Sequence, residues 1–182
     1  MLSCNKSQDK QPNETEIYKN DEIGWEMRLP NGWKKKSDDK INQLVNRGAT
    51  KIEESLQVKI EDIDKTKHLL CLEKGLNQFI TNITKQTKDE YQESISLMND
   101  ILNQTYTNNG LQVNMIENPD INIDGINFKH STYQLSSNGI KFEQNFYMTY
   151  HNGYLFNVSL TTYTEEAKKE IEDVFKNSKF KK

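Results

Sequence analysis

The stretch that decides the fold runs Asn118-Pro119-Asp120-Ile121-Asn122-Ile123-Asp124-Gly125-Ile126-Asn127-Phe128 and continues through Asn138-Gly139 and Asn152-Gly153 to Tyr163. Asp-Gly and Asn-Gly are the pairs that two-residue hairpin turns favour, because both central residues take positive φ. They separate extended segments at about 119–123, 126–136, 140–151 and 154–163. Ile140, Phe142, Phe146, Met148 and Tyr150 share one parity, as do Tyr154, Phe156, Val158 and Leu160. Such alternation marks half-buried strands, so the segment predicts an antiparallel meander with one buried face. Within 126–136 the parity slips from Ile126 and Phe128 to Tyr133 and Leu135, which predicts a bulge near His130–Thr132.

Upstream, Ile23, Trp25, Met27 and Leu29 alternate with Gly24, Glu26 and Arg28 and read as a strand ended by Pro30-Asn31-Gly32. Asp38 or Asp39 then caps a helix whose stripe is Ile41, Leu44, Val45, Gly48 and Ile52. Leu69–Leu72, Gly75 and Phe79, Thr81, Ile83 read as two strands joined by a turn. A second helix spans about 89–106 on Tyr91, Ile95, Met98, Leu102 and Tyr106, and Asn108-Asn109-Gly110 stops it. After the meander, Thr164 caps a third helix with Glu165 and Glu166 in its first turn and Ala167, Ile171 and Val174 on its apolar side. The pattern predicts an α+β domain: an antiparallel sheet of about six or seven strands with three helices packed on it.

The 182 residues are 34% hydrophobic and 28% charged, a polar balance for a folded chain. The apolar residues are nevertheless patterned, which argues for one thin-cored domain over residues 21–182 rather than disorder. Lys and Arg number 24 against 27 Asp and Glu, a net charge of −3. That balance lacks the basic stripe of a nucleic-acid binder. The two basic clusters, Lys34-Lys35-Lys36 and the tail Lys179, Lys181, Lys182, read as a solvated loop and a frayed terminus.

Two cysteines are present. Cys71 lies in the apolar run Leu69-Leu70-Cys71-Leu72 and reads as a buried, inert thiol. Met1-Leu2-Ser3-Cys4 resembles the end of a bacterial lipoprotein signal, in which a small residue precedes the lipidated cysteine. Asn5 to Asn20 is polar, contains Pro12 and reads as a flexible tether. Residues 1–20 are therefore expected to be a lipobox remnant and tether, with Cys4 as the lipid-attachment site. This reading places the charged and apolar parts of the signal upstream of Met1.

Two segments carry a family likeness. One is Trp25-Glu26-Met27-Arg28-Leu29-Pro30-Asn31-Gly32-Trp33; the other is Gly153-Tyr154-Leu155-Phe156-Asn157-Val158, with the helix after it and Phe175-Lys176-Asn177-Ser178-Lys179-Phe180. With their order of elements, the chain resembles the PsbP-like fold, including the DcrB-like bacterial lipoproteins. The resemblance implies an antiparallel sheet flanked by helices in α/β/α layers, and it agrees with an exported, lipid-anchored bacterial protein. It implies no catalytic residues, since members of this fold mostly act as accessory, assembly or binding proteins.

Motifs that carry chemistry are sparse. His68, His130 and His151 show no zinc-site spacing. His130 is expected to be a satisfied core or bulge histidine, His151 to end a hairpin and His68 to open a strand. Glu61, Asp62 and Asp64 lack the glycine and terminal glutamate of a calcium loop and read as a solvated acidic loop. Trp33, Tyr133, Tyr147 and Tyr163 would form a recognition patch if exposed together, and otherwise pack under helices. No metal or cofactor is expected.

The expected function is that of a cell-envelope lipoprotein with a non-enzymatic binding or accessory role. It is held at the membrane through Cys4, faces the periplasm or the cell surface, and acts on an unidentified protein partner. Two rivals remain. One is a protein-interaction module such as an immunity protein or effector chaperone. The other is an enzyme with His130 or Cys71 beside a carboxylate in a deep pocket.

Overall fold

The three X-Gly pairs turn the chain as their chemistry requires. Asp124, Asn138 and Asn152 sit at φ of 50°, 50° and 51°, and Gly125, Gly139 and Gly153 follow at 89°, 80° and 82°. Positive φ at both positions twists the hairpin in the sense of its strands. The computed structural model describes residues 16–57 and 65–181. Cys4 and the acidic run Glu61, Asp62 and Asp64 lie outside the described residues.

The elements follow in order: β1 (Ile17–Asn20), β2 (Trp25–Arg28), β3 (Lys34–Lys35), α1 (Asp38–Leu56), β4 (Thr66–Lys74), β5 (Asn77–Lys85), α2 (Lys88–Asn108), β6 (Gln112–Ile123), β7 (Ile126–Ser137), β8 (Ile140–His151), β9 (Tyr154–Thr162), α3 (Glu165–Lys176) and β10 (Lys179–Phe180). Seven strands form one antiparallel sheet in the order β3-β4-β5-β9-β8-β7-β6. β1, β2 and β10 form a second, three-stranded sheet. The expected fold class, helix count and main-sheet strand count hold.

The small sheet corrects two sequence readings. Ile17–Asn20 leaves the expected tether and pairs with β2, from Ile17 opposite Arg28 to Asn20 opposite Trp25. Lys179–Phe180 leaves the expected frayed tail and pairs with β2 on its other side. Both strands are too short to show a period. What holds them is Phe180, buried against Phe128 and Phe156, and the Tyr18 ring beside Trp25.

The expectation of one buried face is also overturned. Phe146 pairs with Ser159 and Tyr147 with Val158, so the even residues of β8 and the even residues of β9 point to opposite faces. The first face carries Phe79, Ile83, Phe128, Tyr147, Phe156, Val158 and Leu160. It packs against Ile23, Trp25 and Met27 of the small-sheet layer and against Ala167, Ile171 and Phe175 of α3. Its ring contacts run from Trp25 to Phe79 and Phe156, and from Phe175 to Phe79, Phe128 and Tyr147. The second face carries Tyr133, Leu135 and Phe146 under Met98, Leu102 and Tyr106 of α2, with α1 covering β4 and β5.

The parity slip in β7 now has its cause. β7 pairs with β8 without a break from Lys129–Met148 to Ser137–Ile140, so β7 holds no bulge. Phe128 simply belongs to one core and Tyr133 to the other. The irregularity lies across the ladder in β6, between Asn118 and Ile121, where Pro119 has no N–H to give.

A second irregularity falls in β4 between His68 and Leu70. The buried Thr81 hydroxyl fills the gap, accepting from Leu70 N–H at 3.0 Å and donating to Leu70 C=O at 3.2 Å. The expected Thr164 cap holds, accepting from Ala167 N–H on α3, and α2 gains a reciprocal Thr87–Glu90 capping box that the sequence reading did not name. The N-cap of α1 is Ser37 rather than Asp38 or Asp39, and its side chain makes no capping bond.

Two substitutions test this packing. Trp25→Ala is expected to cost about 3–5 kcal/mol in urea unfolding. Thr81→Val keeps the shape but removes both hydroxyl bonds to the Leu70 backbone, for about 1–3 kcal/mol. A Thr81→Val loss well under 1 kcal/mol would show that the hydroxyl does not carry the irregularity.

Candidate functional site

The histidines are held singly. His130 stacks on Tyr147 with ring centroids 4.3 Å apart and reaches Asn145 Oδ1 at 3.3 Å. His151 ends β8 and meets Phe180 edge-on at 5.6 Å. His68 lies near the start of β4, and its Nδ1 is buried with no hydrogen-bond partner. Burial holds all three below the ordinary histidine range, against the Asn145 hydrogen bond at His130 and an Ile23 backbone contact at His151.

The four aromatic residues are not exposed together, so they form no recognition patch. Trp33, Tyr133 and Tyr147 are buried, and Tyr163 is half-buried and stacked on Phe142 at 5.1 Å. Trp33 packs into the first core, and its Nε1 donates to Glu170 Oε2 of α3 at 3.1 Å, rather than lying under α1. Burial pushes the Tyr133 hydroxyl up to about 12, with the Asp100 and Glu117 charges adding to it.

Concavities among the described residues include two lined by strands of the main sheet and a third, about 250 Å³, against Arg28, Asp173, Val174 and Asn177. The larger of the two on the main sheet, about 550 Å³, opens beside the N-terminus of α3 and is lined by Gln112, Asn114, Gln134, Ser136, Lys141 and Glu143 among others. The register sets these side chains in cross-strand rows on one face. Asn114 donates to Gln134 at 2.8 Å, Gln134 to Glu143 at 3.4 Å, and Ser136 to Gln112 at 2.9 Å. Burial alone would raise the Glu143 carboxyl, but the hydrogen bond and charge of Lys168 outweigh it and hold the group below the usual carboxylate range. The amides, the Ser136 hydroxyl and the Glu143 carboxylate of this floor hydrogen-bond across the strands.

The other, about 340 Å³, lies between α1 and the second face of the sheet. Its roof is Ile41, Leu44, Val45, Gly48, Ala49 and Ile52; its floor is Thr66, His68, Cys71, Ile80 and Asn82. His68 and Cys71 are three apart, a spacing that puts strand residues on opposite faces. The irregularity at Leu69 turns both toward this cleft: His68 pairs with Asn82 and Cys71 with Ile80. Strict parity therefore hid the pairing. Asn82, a polar residue on an internal strand, is a second signal that the sequence reading did not use.

Cys71 is 1% exposed and burial pushes its thiol up to about 11, against the pull of Lys36. A nucleophilic cysteine needs the opposite shift. The cleft also lacks a carboxylate lining residue, so the arrangement favoured by the enzyme rival does not form there. Among the described residues, no group of three or more His, Cys, Asp or Glu is placed to hold a metal ion. No described helix is long and apolar enough to cross a membrane.

Two unequal antiparallel sheets and three helices define a small α+β domain. The family model for PsbP matches residues 13–179, and the chain belongs to the PsbP family. Among solved structures, the chain is similar to cyanobacterial PsbP from Synechocystis sp. PCC 6803, with a TM-score of 0.58 at 13% identity over 97% of this chain and 98% of that one. It is also similar to a crystal structure from Bacteroides thetaiotaomicron, with a TM-score of 0.51 at 12% identity over 93% of this chain and 50% of that one. At these identities the likeness is one of fold. A comparison with curated proteins found no match.

Two titration experiments follow. The unfolded chain takes up histidine protons near the ordinary value of 6.5, before the folded one does, so stability is expected to fall as pH drops through that value. The carboxylates of Glu26, Glu73, Glu143 and Glu170 lie below their ordinary 4.5 and lose their contribution only at lower pH. Tm is therefore expected to decline from pH 7.5 to 5.5; a rise would contradict the burial of the imidazoles. In a Cys4→Ser chain, a thiol-reactive disulfide dye at pH 7.5 is expected to react with Cys71 only after denaturant is added. Rapid reaction of the folded protein would show an accessible thiolate.

Proposed function

We propose that this PsbP-family chain is a non-enzymatic binding or accessory protein of the bacterial cell envelope, held at the membrane by a lipid on Cys4. The observation that carries the binding reading is the character of the two concavities on the main sheet. One is floored by interlocked amides and hydroxyls, the other by an apolar roof over a thiol kept protonated. Both offer contact surface, and neither offers an activated nucleophile beside a base. The anchor rests on Leu2-Ser3-Cys4 and the polar residues that follow it.

Metabolic labelling with an alkyne-bearing palmitate in the native cell tests the anchor. The full-length product is expected to carry label and to sediment with membranes, and Cys4→Ser is expected to abolish both. Unlabelled, soluble protein in the cytoplasm would overturn it.

One observation favours the protein-interaction reading as the second choice. β6 ends the strand order, so among the described strands its outer edge has no partner, and Ile116 on it is 38% exposed. An open edge accepts a strand from another chain. A stoichiometric complex from envelope extract that is lost with Ile116→Lys would raise this reading above the first.

A further inference from the structure

The cleft under α1 has unlike walls. Its roof is the apolar stripe of α1, of which only Ile41 is buried; Leu44, Val45, Ala49 and Ile52 remain half-exposed. Its floor carries the polar pair His68 and Asn82, which face each other across β4 and β5. His68 Nδ1 is buried and has no hydrogen-bond partner among the described residues. A polar pair on the floor of an otherwise apolar cleft fits a ligand with one polar end.

Charge narrows what that group is. No charged side chain lines the cleft. Lys36, the cation that acts on Cys71, is tied in an ion pair to Glu73. A carboxylate or ammonium entering here would lose its water without gaining a counter-ion, which is costly. A pure hydrocarbon would cover the His68–Asn82 pair without offering it a hydrogen bond. The volume, about 340 Å³, falls at the small end of ligand pockets and is more than twice the roughly 150 Å³ that admits benzene.

We infer that the cleft between α1 and strands β4 and β5 binds a neutral amphiphile. Its alkyl part lies along Leu44, Val45, Ala49 and Ile52, and its single uncharged hydroxyl or amide meets the His68–Asn82 pair. The inference rests on the binding reading and names the ligand class for one of the two concavities on the main sheet.

The geometry also supplies a plug. Gly48 is helical and lines the cleft, and a Cβ added there meets nothing within 4 Å. Gly48→Leu therefore fills the space while improving helix propensity. Displacement of N-phenyl-1-naphthylamine fluorescence from the full chain is the assay, with 1-decanol, decanoate at pH 8 and naphthalene as competitors. Decanol is expected to bind at least ten-fold tighter than decanoate. Gly48→Leu is expected to weaken decanol at least ten-fold with an unchanged or higher Tm, and Ile80→Phe to repeat that effect from the floor. His68→Leu is expected to weaken decanol about five-fold, the worth of one ordinary hydrogen bond, and to leave naphthalene within two-fold. The inference is overturned if decanol fails to displace the dye at its solubility limit, if decanoate matches it, or if Gly48→Leu leaves binding intact in a folded protein. Such a failure with Cys4 labelling intact would remove the ligand class and leave the anchor reading standing.

Discussion

Strand β9 is the constraint on which the rest of the molecule depends. It is the fourth of seven strands, and its pairing with β5 joins two hairpin systems that are remote in sequence, Phe79 facing Leu160 and Ile83 facing Phe156. Phe156, Val158 and Leu160 point into the first core and are fully buried there. Asn157 and Ser159 point the other way. One strand thus seals the aromatic side of the sheet and sets a polar surface beneath the helices opposite. Because this contact closes a long stretch of chain, it is the pairing whose loop-closure entropy most delays folding.

The two faces are covered unequally. On one, α3 and the small sheet interlock rings from Trp25 through Phe175 to Phe180, and all three apolar anchors of α3 are buried. On the other, α2 seats Tyr91 on Tyr150 and Tyr106 on Tyr133, whereas α1 rests over a cleft with most of its stripe half-exposed. A chain that is only 34% hydrophobic can build such a fold because its apolar residues concentrate on one side. The thinly covered side is where ligand-sized space remains, and loosely packed elements are where function is commonly placed.

Much of this was legible in the residues, for identifiable reasons. Turn chemistry is local, so Asp124-Gly125, Asn138-Gly139 and Asn152-Gly153 marked three hairpins without any knowledge of the fold. Helix stripes and caps are nearly as local, and Thr164 caps α3 as its sequence context implies. Reading β7 failed because alternation reports which residues are apolar, not how many layers cover the sheet; Phe128 and Tyr133 answer to different cores. The site was the least legible part. His68 and Cys71 share a face only through the irregularity at Leu69, which Thr81 stabilises from the neighbouring strand. Short β1 and β10 were invisible because their stability comes from rings brought by distant segments.

The PsbP family spans chains that share this architecture at identities near 13%, and a fold held at that distance does not carry a function with it. The functional argument therefore rests on the unequal cover of the sheet, which leaves α1 as a separable roof. Native-state hydrogen exchange tests that claim most directly. Amides of β5 and β9 are expected to exchange only through global unfolding, and those of α1 through a local opening of far lower free energy, with β4 and β5 still protected. If α1 amides prove as protected as those of β9 and share their denaturant dependence, the two faces are equally sealed and the account of the cleft is wrong.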